Sequence, residues 1–452
     1  GGGEPLFPLP SDSTKKAKGA VKRASTLARL FGSTPAKAKA PPKPSPLPKG
    51  TSDRAMATPA PPKAPATPAP AAEVAQHKNF GPAPVGLHGF GRTNRLALRA
   101  ALTTHAGKVE VVAINAPGCT PEAMAYLVNH DSTQGALPAD RSVTASADGC
   151  SLVINNKVVP VTALRSGADV PWGAAGAEYV LDETTQGATP EGAATHLAGG
   201  ALKVLVAGTC ADTPVVCPAS ADATPSSKPQ VLSLGPFEAH AALPVLKAIH
   251  EMAGIEACSV SAVCSAGEAQ KTVDGPDSAD WRAGRGFRQN IVPGPSRIRA
   301  AVDQALPALA GRVSGCTFRV PTAAVGAVDL TARLTADLDL EDLYAKLARA
   351  AEGKSTGAYL GVVREQVVST DFVGDSRSCV VDAGAGIQLS PRLVKVVVWS
   401  DAEWAYAQRA LDAVAAVCAV DRGPGAVFAR VGSRIQLAAR GDSSAPATPR
   451  GK

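Results

Sequence analysis

An apolar strand, a glycine turn, a helical segment and a second strand follow one another between residues 85 and 115. The first strand ends at His88, the turn contains Gly89 and Gly91, and the helical segment runs to Leu102 before the β-branched run 109–115. This order is typical of a βαβ unit that binds a dinucleotide at its glycine turn. Since the two strands of such a unit are parallel and need a crossover, the pattern predicts an α/β fold.

The first 82 residues differ in composition from the rest of the chain. They are rich in Ala, Pro, Lys, Ser and Gly, and between residues 35 and 72 the prolines recur too often for a helix or a sheet. We expect an extended strap with polyproline-II character. About 340 residues then remain for a globular body, which is enough for two hydrophobic cores. No apolar run approaches the roughly 20 residues that a membrane-spanning helix needs.

Positive charge is concentrated in this N-terminal extension. Residues 1–82 contain 13 Lys or Arg against four Asp or Glu, a net charge of +9, whereas the whole chain carries +7. A near-neutral body with a basic arm predicts an acidic partner for the arm, such as RNA, an anionic lipid surface or an acidic protein surface. The alternative is a solvated linker.

The nine cysteines are scattered at irregular spacings, with no Cys-x-x-Cys pair and no histidine at metal-ligand spacing. This pattern predicts neither a zinc site nor a disulfide framework. We expect most of the cysteines to pack as small core residues in a reducing compartment.

Five short motifs in the second half of the chain indicate a family. They are Gln-Lys-Thr-Val-Asp-Gly-Pro at 270–276, Trp-Arg-Ala-Gly-Arg-Gly at 281–286, Phe-Arg-Val-Pro-Thr at 318–322, Val-Ser-Thr-Asp-Phe at 368–372 and Asp-Ala-Gly-Ala-Gly at 382–386. In order and approximate spacing, the chain resembles glyceraldehyde-3-phosphate dehydrogenase over roughly residues 83–420.

The resemblance implies a body of two domains. Residues 83–233 are expected to form a doubly wound, Rossmann-like NAD-binding-type domain, which a helix within residues 400–438 completes. Residues 234–399 are expected to form a catalytic-type α+β domain with an antiparallel sheet. The basic extension 1–82 and a tail at 439–452 lie outside both domains.

Phe237 stands where the resemblance implies a nucleophilic cysteine. In this family a cysteine thiolate forms a hemithioacetal with the substrate, a histidine takes the proton, a nicotinamide receives hydride and phosphate releases the acyl group. The family's run Ser-Cys-Thr-Thr-Asn-Cys-Leu-Ala-Pro corresponds to residues 236–244, of which only Pro244 matches. A phenyl ring has neither a lone pair nor an ionisable proton, so it cannot attack a carbonyl carbon.

The general-base histidine is also replaced. The family's Thr-Val-His-Ala-Val corresponds to residues 259–263, which places Ser261 at the histidine position, and a different placement of the gap places Cys264 there. Neither side chain is a base poised near neutral pH, as imidazole is. We therefore expect a pseudoenzyme without catalytic residues. The alternative is a relocated nucleophile, Cys258 or Cys264.

The cofactor site is retained only in part. Gly89, Gly91 and Arg92 remain in the turn, but Asn94 replaces the third glycine, and we expect its side chain to crowd the helix against the strand. Ala116 stands where the resemblance implies a carboxylate that binds the adenosine ribose. We expect no cofactor, or only residual NAD binding, with the two glycines now serving the fold.

Two arginines are candidates for anion binding. Arg319 matches a residue that contacts substrate phosphate in the family, and Arg297 lies in the segment that replaces a Ser-Thr-Gly phosphate loop. At the nicotinamide end, Ala402 replaces an amide-binding asparagine. The loop 271–286 matches a segment at the centre of the family's tetramer, which leaves a homo-oligomer open.

Three functions are compatible with these patterns. The first is a catalytically inactive structural or accessory subunit of a large assembly, anchored to other protein subunits by its N-terminal arm. The second is a working NAD-dependent glyceraldehyde-3-phosphate dehydrogenase, and the third is an RNA-binding or regulatory module that uses the old dinucleotide cleft. The acid-poor start with Arg and Ser is typical of organellar targeting segments and predicts the mitochondrion, with a cilium or axoneme and the cytoplasm as alternatives.

Overall fold

The computed structural model describes residues 81–218, 229–267, 270–277, 280–354 and 356–423. Nearly all of the predicted extension 1–82, the residues 424–438 and the predicted tail 439–452 lie outside the described residues. Among the described residues, no helix is long and apolar enough to span a membrane.

The N-terminal half builds one sheet of eight strands. Their order across the sheet is β10-β9-β8-β1-β2-β7-β6-β5. The pairs from β10 to β7 are parallel, and β6 and β5 continue the sheet as antiparallel strands. The strands are β1 Ala83–His88, β2 Val109–Asn115, β5 Val143–Ala145, β6 Ser151–Ile154, β7 Lys157–Thr162, β8 Tyr179–Asp182, β9 Lys203–Val206 and β10 Val231–Ser233, with a separate small hairpin of β3 His130–Asp131 and β4 Gly135–Ala136.

Three helices connect these strands: α1 Arg92–Leu102, α2 Pro121–Asn129 and α3 Pro190–Ala198. Thr120 caps α2 and Thr189 caps α3, each followed by a proline whose missing N–H leaves no unpaired donor in the first turn. Helix α1 begins directly after the turn at Gly89, whose φ of +87° suits glycine and few other residues.

The last described helix, α7 Trp404–Asp421, returns to this first domain. Its Ala407, Ala410 and Leu411 are buried in the same core as Leu87 and Leu96. Near its C-terminal end, Asp421 pairs with the buried Lys203 at 2.8 Å. The chain therefore leaves the first domain after β10 and comes back to it through α7.

The second half forms a seven-stranded sheet with the order β12-β13-β11-β14-β17-β16-β15. The β11–β13 and β15–β16 pairs are parallel and the other pairs are antiparallel. The elements are α4 Phe237–Ala253, β11 Ile255–Ser265, β12 Val292–Pro295, α5 Ile298–Ala305, β13 Val313–Val320, β14 Val325–Leu334, α6 Leu340–Ala351, β15 Leu360–Val363, β16 Cys379–Ser390 and β17 Leu393–Asp401.

Helices α4, α5 and α6 cover one face of this second sheet. Leu246 and Ile249 of α4 pack with Val328 and Leu330 of β14 in one fully buried core. The predicted combination of a Rossmann-like domain and an α+β domain is confirmed. The second sheet is mixed rather than antiparallel, because β11 and β13 are paired in the same direction. The connection between these two strands contains β12 and α5.

Candidate functional site

A cleft of ≈ 700 Å³ lies at the carboxyl ends of the parallel strands and against the start of α4. Open α/β sheets bind their ligands at this edge. Its walls come from both domains and include Arg92, Arg95, Phe237, Cys264, Arg297 and Arg319. The cleft therefore brings together the predicted anion-binding arginines and Phe237, the residue predicted to stand at the nucleophile position.

Phe237 is the first residue of α4 and lines this cleft. Its ring is partly buried and packs beside Gly326 of β14, where a Cβ added to the glycine would lie 3.2 Å from Cε2 of the ring. The preceding Pro236 has no N–H, so it provides no donor at this helix end. The start of α4 thus presents an aromatic surface to the cleft.

Of the two candidates for the histidine position, the structure places Cys264 in the cleft. Ser261 is absent from the cleft lining, and its hydroxyl lies 4.0 Å from the sulfur of Cys316. Strand β11 continues without interruption to Ser265. Which of the two residues corresponds to the family's histidine stays a prediction. Burial raises the pKa of the Cys264 thiol to about 12, and it does the same for Cys258.

A carboxylate occupies the glycine turn between β1 and α1. Glu183, directly after β8, accepts hydrogen bonds from the backbone N–H of Gly91 and, at 3.1 Å, from that of Asn94. Burial raises the pKa of Glu183 to about 7, although these backbone donors act in the opposite direction. Sequence reasoning missed this residue, because it lies 92 positions from Gly91 and in no recognised motif.

Arg92 points to protein carboxylates on two neighbouring elements. It pairs with Asp131 of β3 and, at 2.7 Å, with Glu403 in front of α7. Although burial opposes ionisation, the hydrogen bond from Arg92 keeps the pKa of Asp131 below its ordinary value. Arg92, which was predicted to bind the cofactor, therefore links α1 to the β3–β4 hairpin and to the start of α7 through these two ion pairs.

Asn94 does not crowd the helix away from the strand, which corrects the expectation from the sequence. Its side-chain amide is fully buried and donates to the backbone carbonyls of His88 and Gly89 at 2.9 and 3.0 Å. The amide thus fixes the turn to the first helical residues. At the other side of the cleft edge, Ala116 is buried and its N–H bonds the carbonyl of Thr162.

Arg297 and Arg319 keep cationic groups in the cleft. The guanidinium of Arg319 donates to the carbonyl of Ser265 at 3.0 Å, and that of Arg297 lies 3.5 Å from the carbonyl of Thr209. Both contacts are to neutral backbone oxygens, so the positive charges are not neutralised there. Their anion binding stays a prediction.

A cysteine and a histidine that are distant in sequence meet beneath the cleft floor. Cys217 Sγ lies 3.2 Å from Nδ1 of His240, and Nε2 of His240 donates to the carbonyl of Leu234 at 2.7 Å. Both side chains are buried, and burial lowers the pKa of His240 to about 4. Because the imidazole is neutral and Nδ1 only accepts a hydrogen bond from the Cys217 thiol, the histidine stabilises no thiolate, and we interpret the pair as part of the core.

A second buried polar cluster lies behind the glycine turn. Nitrogen and oxygen atoms of His88, Asp182 and His196 approach one another within 4.8 Å. Trp172 Nε1–H donates to Nδ1 of His196 at 3.1 Å, and the amide of Asn115 lies 3.0 Å from Nδ1 of His88. Both Nδ1 atoms accept hydrogen bonds, so both Nε2 atoms carry protons, and His196 donates one to Asp182 at 3.2 Å. This tautomer pattern satisfies the cluster internally and opposes metal ligation through Nε2.

The architecture defines the class of the chain: a Rossmann-like domain joined to an α+β domain with a cleft between them, as in two-domain NAD-dependent dehydrogenases. The family model described as glyceraldehyde 3-phosphate dehydrogenase, NAD binding domain, matches residues 83–190. The model described as the C-terminal domain of the same enzyme matches residues 239–402. The chain belongs to the glyceraldehyde-3-phosphate dehydrogenase family, which confirms the family predicted from the motifs.

Similar proteins support this assignment along most of their length. A chloroplastic glyceraldehyde-3-phosphate dehydrogenase of Arabidopsis thaliana is 41% identical over 341 residues, 75% of this chain and 79% of the relative. Glyceraldehyde-3-phosphate dehydrogenase 2 of Schizosaccharomyces pombe is 41% identical over 339 residues, 75% of this chain and 98% of the relative. A cytosolic enzyme of Gracilaria gracilis is 41% identical over 335 residues, 74% of this chain and 97% of the relative.

The names of these relatives bear on location. They are called chloroplastic or cytosolic where a location is given. These names do not support the predicted mitochondrial location. The cytosolic relatives agree with the cytoplasm, which was one of the predicted alternatives.

Proposed function

We propose that this chain is a catalytically inactive member of its family that serves as a structural or accessory subunit of a larger assembly. The observation that carries the proposal is Phe237 at the start of α4, facing the cleft at the position of the family's nucleophile. Acyl transfer through a covalent intermediate needs a nucleophile at this place, and a phenyl ring supplies none.

The neighbouring thiol does not replace the missing group. Cys264 is 1% exposed, and a pKa of about 12 leaves it protonated at neutral pH. The thiolate is the reactive form of cysteine, so Cys264 has a negligible reactive fraction. Among the described residues that line the cleft, no histidine is present to remove its proton.

The second candidate function is a working glyceraldehyde-3-phosphate dehydrogenase, and the similarity to proteins of that name favours it. Overall identity reports shared fold and ancestry, whereas the reaction depends on a few side chains in the cleft. A working enzyme needs a nucleophile and a base in the cleft, and we propose that Phe237 and Cys264 provide neither.

The turnover assay separates the two candidates. Purified full-length protein is mixed with glyceraldehyde 3-phosphate, NAD and phosphate, and the absorbance of reduced cofactor is followed, with the Schizosaccharomyces pombe relative as the positive control. We expect no signal above a protein-free blank. Phe237→Cys alone should also remain inactive, because the family's base is still absent and catalytic groups act as a unit. Turnover by the unmodified chain would establish the second candidate.

The accessory role depends on the basic N-terminal arm as the anchor. Its charge of +9 predicts attachment that weakens steeply with salt. The full chain and a variant lacking residues 1–80 are compared by co-sedimentation from cell extract at increasing salt. The truncated chain should leave the heavy fractions at lower salt, whereas identical salt profiles would place the attachment on the two-domain body.

A further inference from the structure

We propose that the carboxyl group of Glu183 occupies and closes the dinucleotide phosphate site of this chain. The proposal rests on the geometry of the glycine turn and does not depend on which residue stands at the nucleophile position. It makes Glu183, rather than the turn itself, the residue that determines which ligands the glycine turn admits.

The backbone donors of the turn are already in use. In a dinucleotide-binding turn, the pyrophosphate receives the N–H groups at the start of the helix, where the positive end of the helix dipole lies. In this chain the N–H groups of Gly91 and Asn94 already donate to the two carboxylate oxygens of Glu183, one to each. The donors that would recognise a phosphate are therefore satisfied from within.

The space in the turn is also taken. A glycine in this turn lets a pyrophosphate approach the backbone closely. A Cβ placed on Gly91 would lie 3.0 and 3.1 Å from the oxygens of Glu183, and a Cβ placed on Gly89 would lie 3.0 Å from its Cγ. The room that the two glycines leave open is filled by the side chain of Glu183.

The charge of Glu183 acts in the same direction. Above the pKa of about 7 that burial gives Glu183, a pyrophosphate brought to this turn would meet an ionised carboxylate at hydrogen-bond distance from the same donors. Like charges at such separations repel, and the repulsion is stronger in a partly buried site than in water. Arg92, which could offset it, is paired with Asp131 and Glu403. The residues present therefore do not fit a dinucleotide while Glu183 keeps its place.

Direct binding of NAD and NADH to the full-length protein tests the proposal without any substrate. Isothermal titration calorimetry is used for wild type, Glu183→Ala and Glu183→Gln, with Glu191→Ala as the matched control. Glu191 is an exposed carboxylate in the first turn of α3 and lies outside the cleft lining. Glu183→Ala frees both donors and removes the charge, whereas Glu183→Gln removes the charge and keeps the volume.

We expect millimolar or weaker binding by wild type and the control, and binding by Glu183→Ala that is at least about tenfold tighter. Glu183→Gln should fall between them, and it provides the comparison if Glu183→Ala does not fold. Micromolar binding by wild type would overturn the proposal, as would variants that bind no better than wild type. Equal gains in Glu191→Ala would overturn it too, because a general charge effect would then explain the result.

Discussion

Replacing Glu183 by glutamine should change how the stability of the protein depends on pH. Burial raises the pKa of Glu183 from an ordinary 4.5 to about 7. Between these values the folded protein holds a proton on Glu183 that the unfolded chain has lost. The free energy of unfolding therefore falls as pH rises through this window, and glutamine, which does not titrate, lacks this loss.

The size of the effect follows from the shift. Linkage with these two pKa values gives a loss of about 2–3 kcal/mol for wild type between pH values of about 5 and 8. Any penalty that arises because the NH₂ group of glutamine faces one of the backbone donors does not depend on pH. The difference in unfolding free energy between variant and wild type should thus move by about 2–3 kcal/mol in favour of the variant as pH rises through this range.

Urea unfolding at several pH values across this range measures the difference directly. Comparison with wild type is necessary because burial also lowers the pKa of His88 and His240 to about 4. These two histidines make the free energy of unfolding fall as pH falls. Their contribution is common to both proteins and cancels. Glu191→Gln is the control and should show no pH-dependent difference. A constant gap between Glu183→Gln and wild type would refute the argument that the partly buried carboxylate carries a raised pKa.

Two further substitutions test the contacts around the turn. Arg92→Ala should lower the free energy of unfolding by about 2–3 kcal/mol near neutral pH, because it leaves the buried carboxylate of Asp131 without its ion-pair partner. The loss should be smaller in acid, where Asp131 is protonated. Equal losses in urea unfolding at neutral and acid pH would contradict this. In the same assay, Asn94→Gly should lower the free energy of unfolding by about 1–2 kcal/mol, because it removes the amide that donates to the carbonyls of His88 and Gly89. A variant more stable than wild type would show instead that Asn94 strains the turn.

The local pattern predicts the first domain because each element carries its own signal. The strand, the glycine turn and the helix between residues 85 and 102 are adjacent in sequence, and the structure has β1, Gly89 and α1 there. The motifs of the second half likewise predict a second domain of α+β type. Its mixed sheet is not predictable in this way, because the parallel pairing of β11 with β13 depends on contacts between strands that are distant in sequence.

The candidate site is less predictable from the sequence than the fold. Phe237, Arg297 and Arg319 do meet in the cleft. No local pattern indicates the pairing of Gly91 with Glu183 or of Arg92 with Glu403, because these partners are 92 and 311 residues apart. The choice between Ser261 and Cys264 for the histidine position depends on where a gap is placed, and the sequence motifs leave that placement open.

The proposed loss of the catalytic nucleophile is tested most directly by intact-mass spectrometry after exposure to substrate. Turnover can also be lost when phosphate releases the acyl group, whereas a covalent acyl-enzyme reports only nucleophilic attack and the hydride transfer to NAD that follows it. The full-length protein is incubated with glyceraldehyde 3-phosphate and NAD without phosphate, quenched in acid and weighed, beside the Schizosaccharomyces pombe relative. We predict an unchanged mass for this chain and an adduct on the relative. An acyl adduct on any of its nine cysteines would contradict the proposed loss of catalysis.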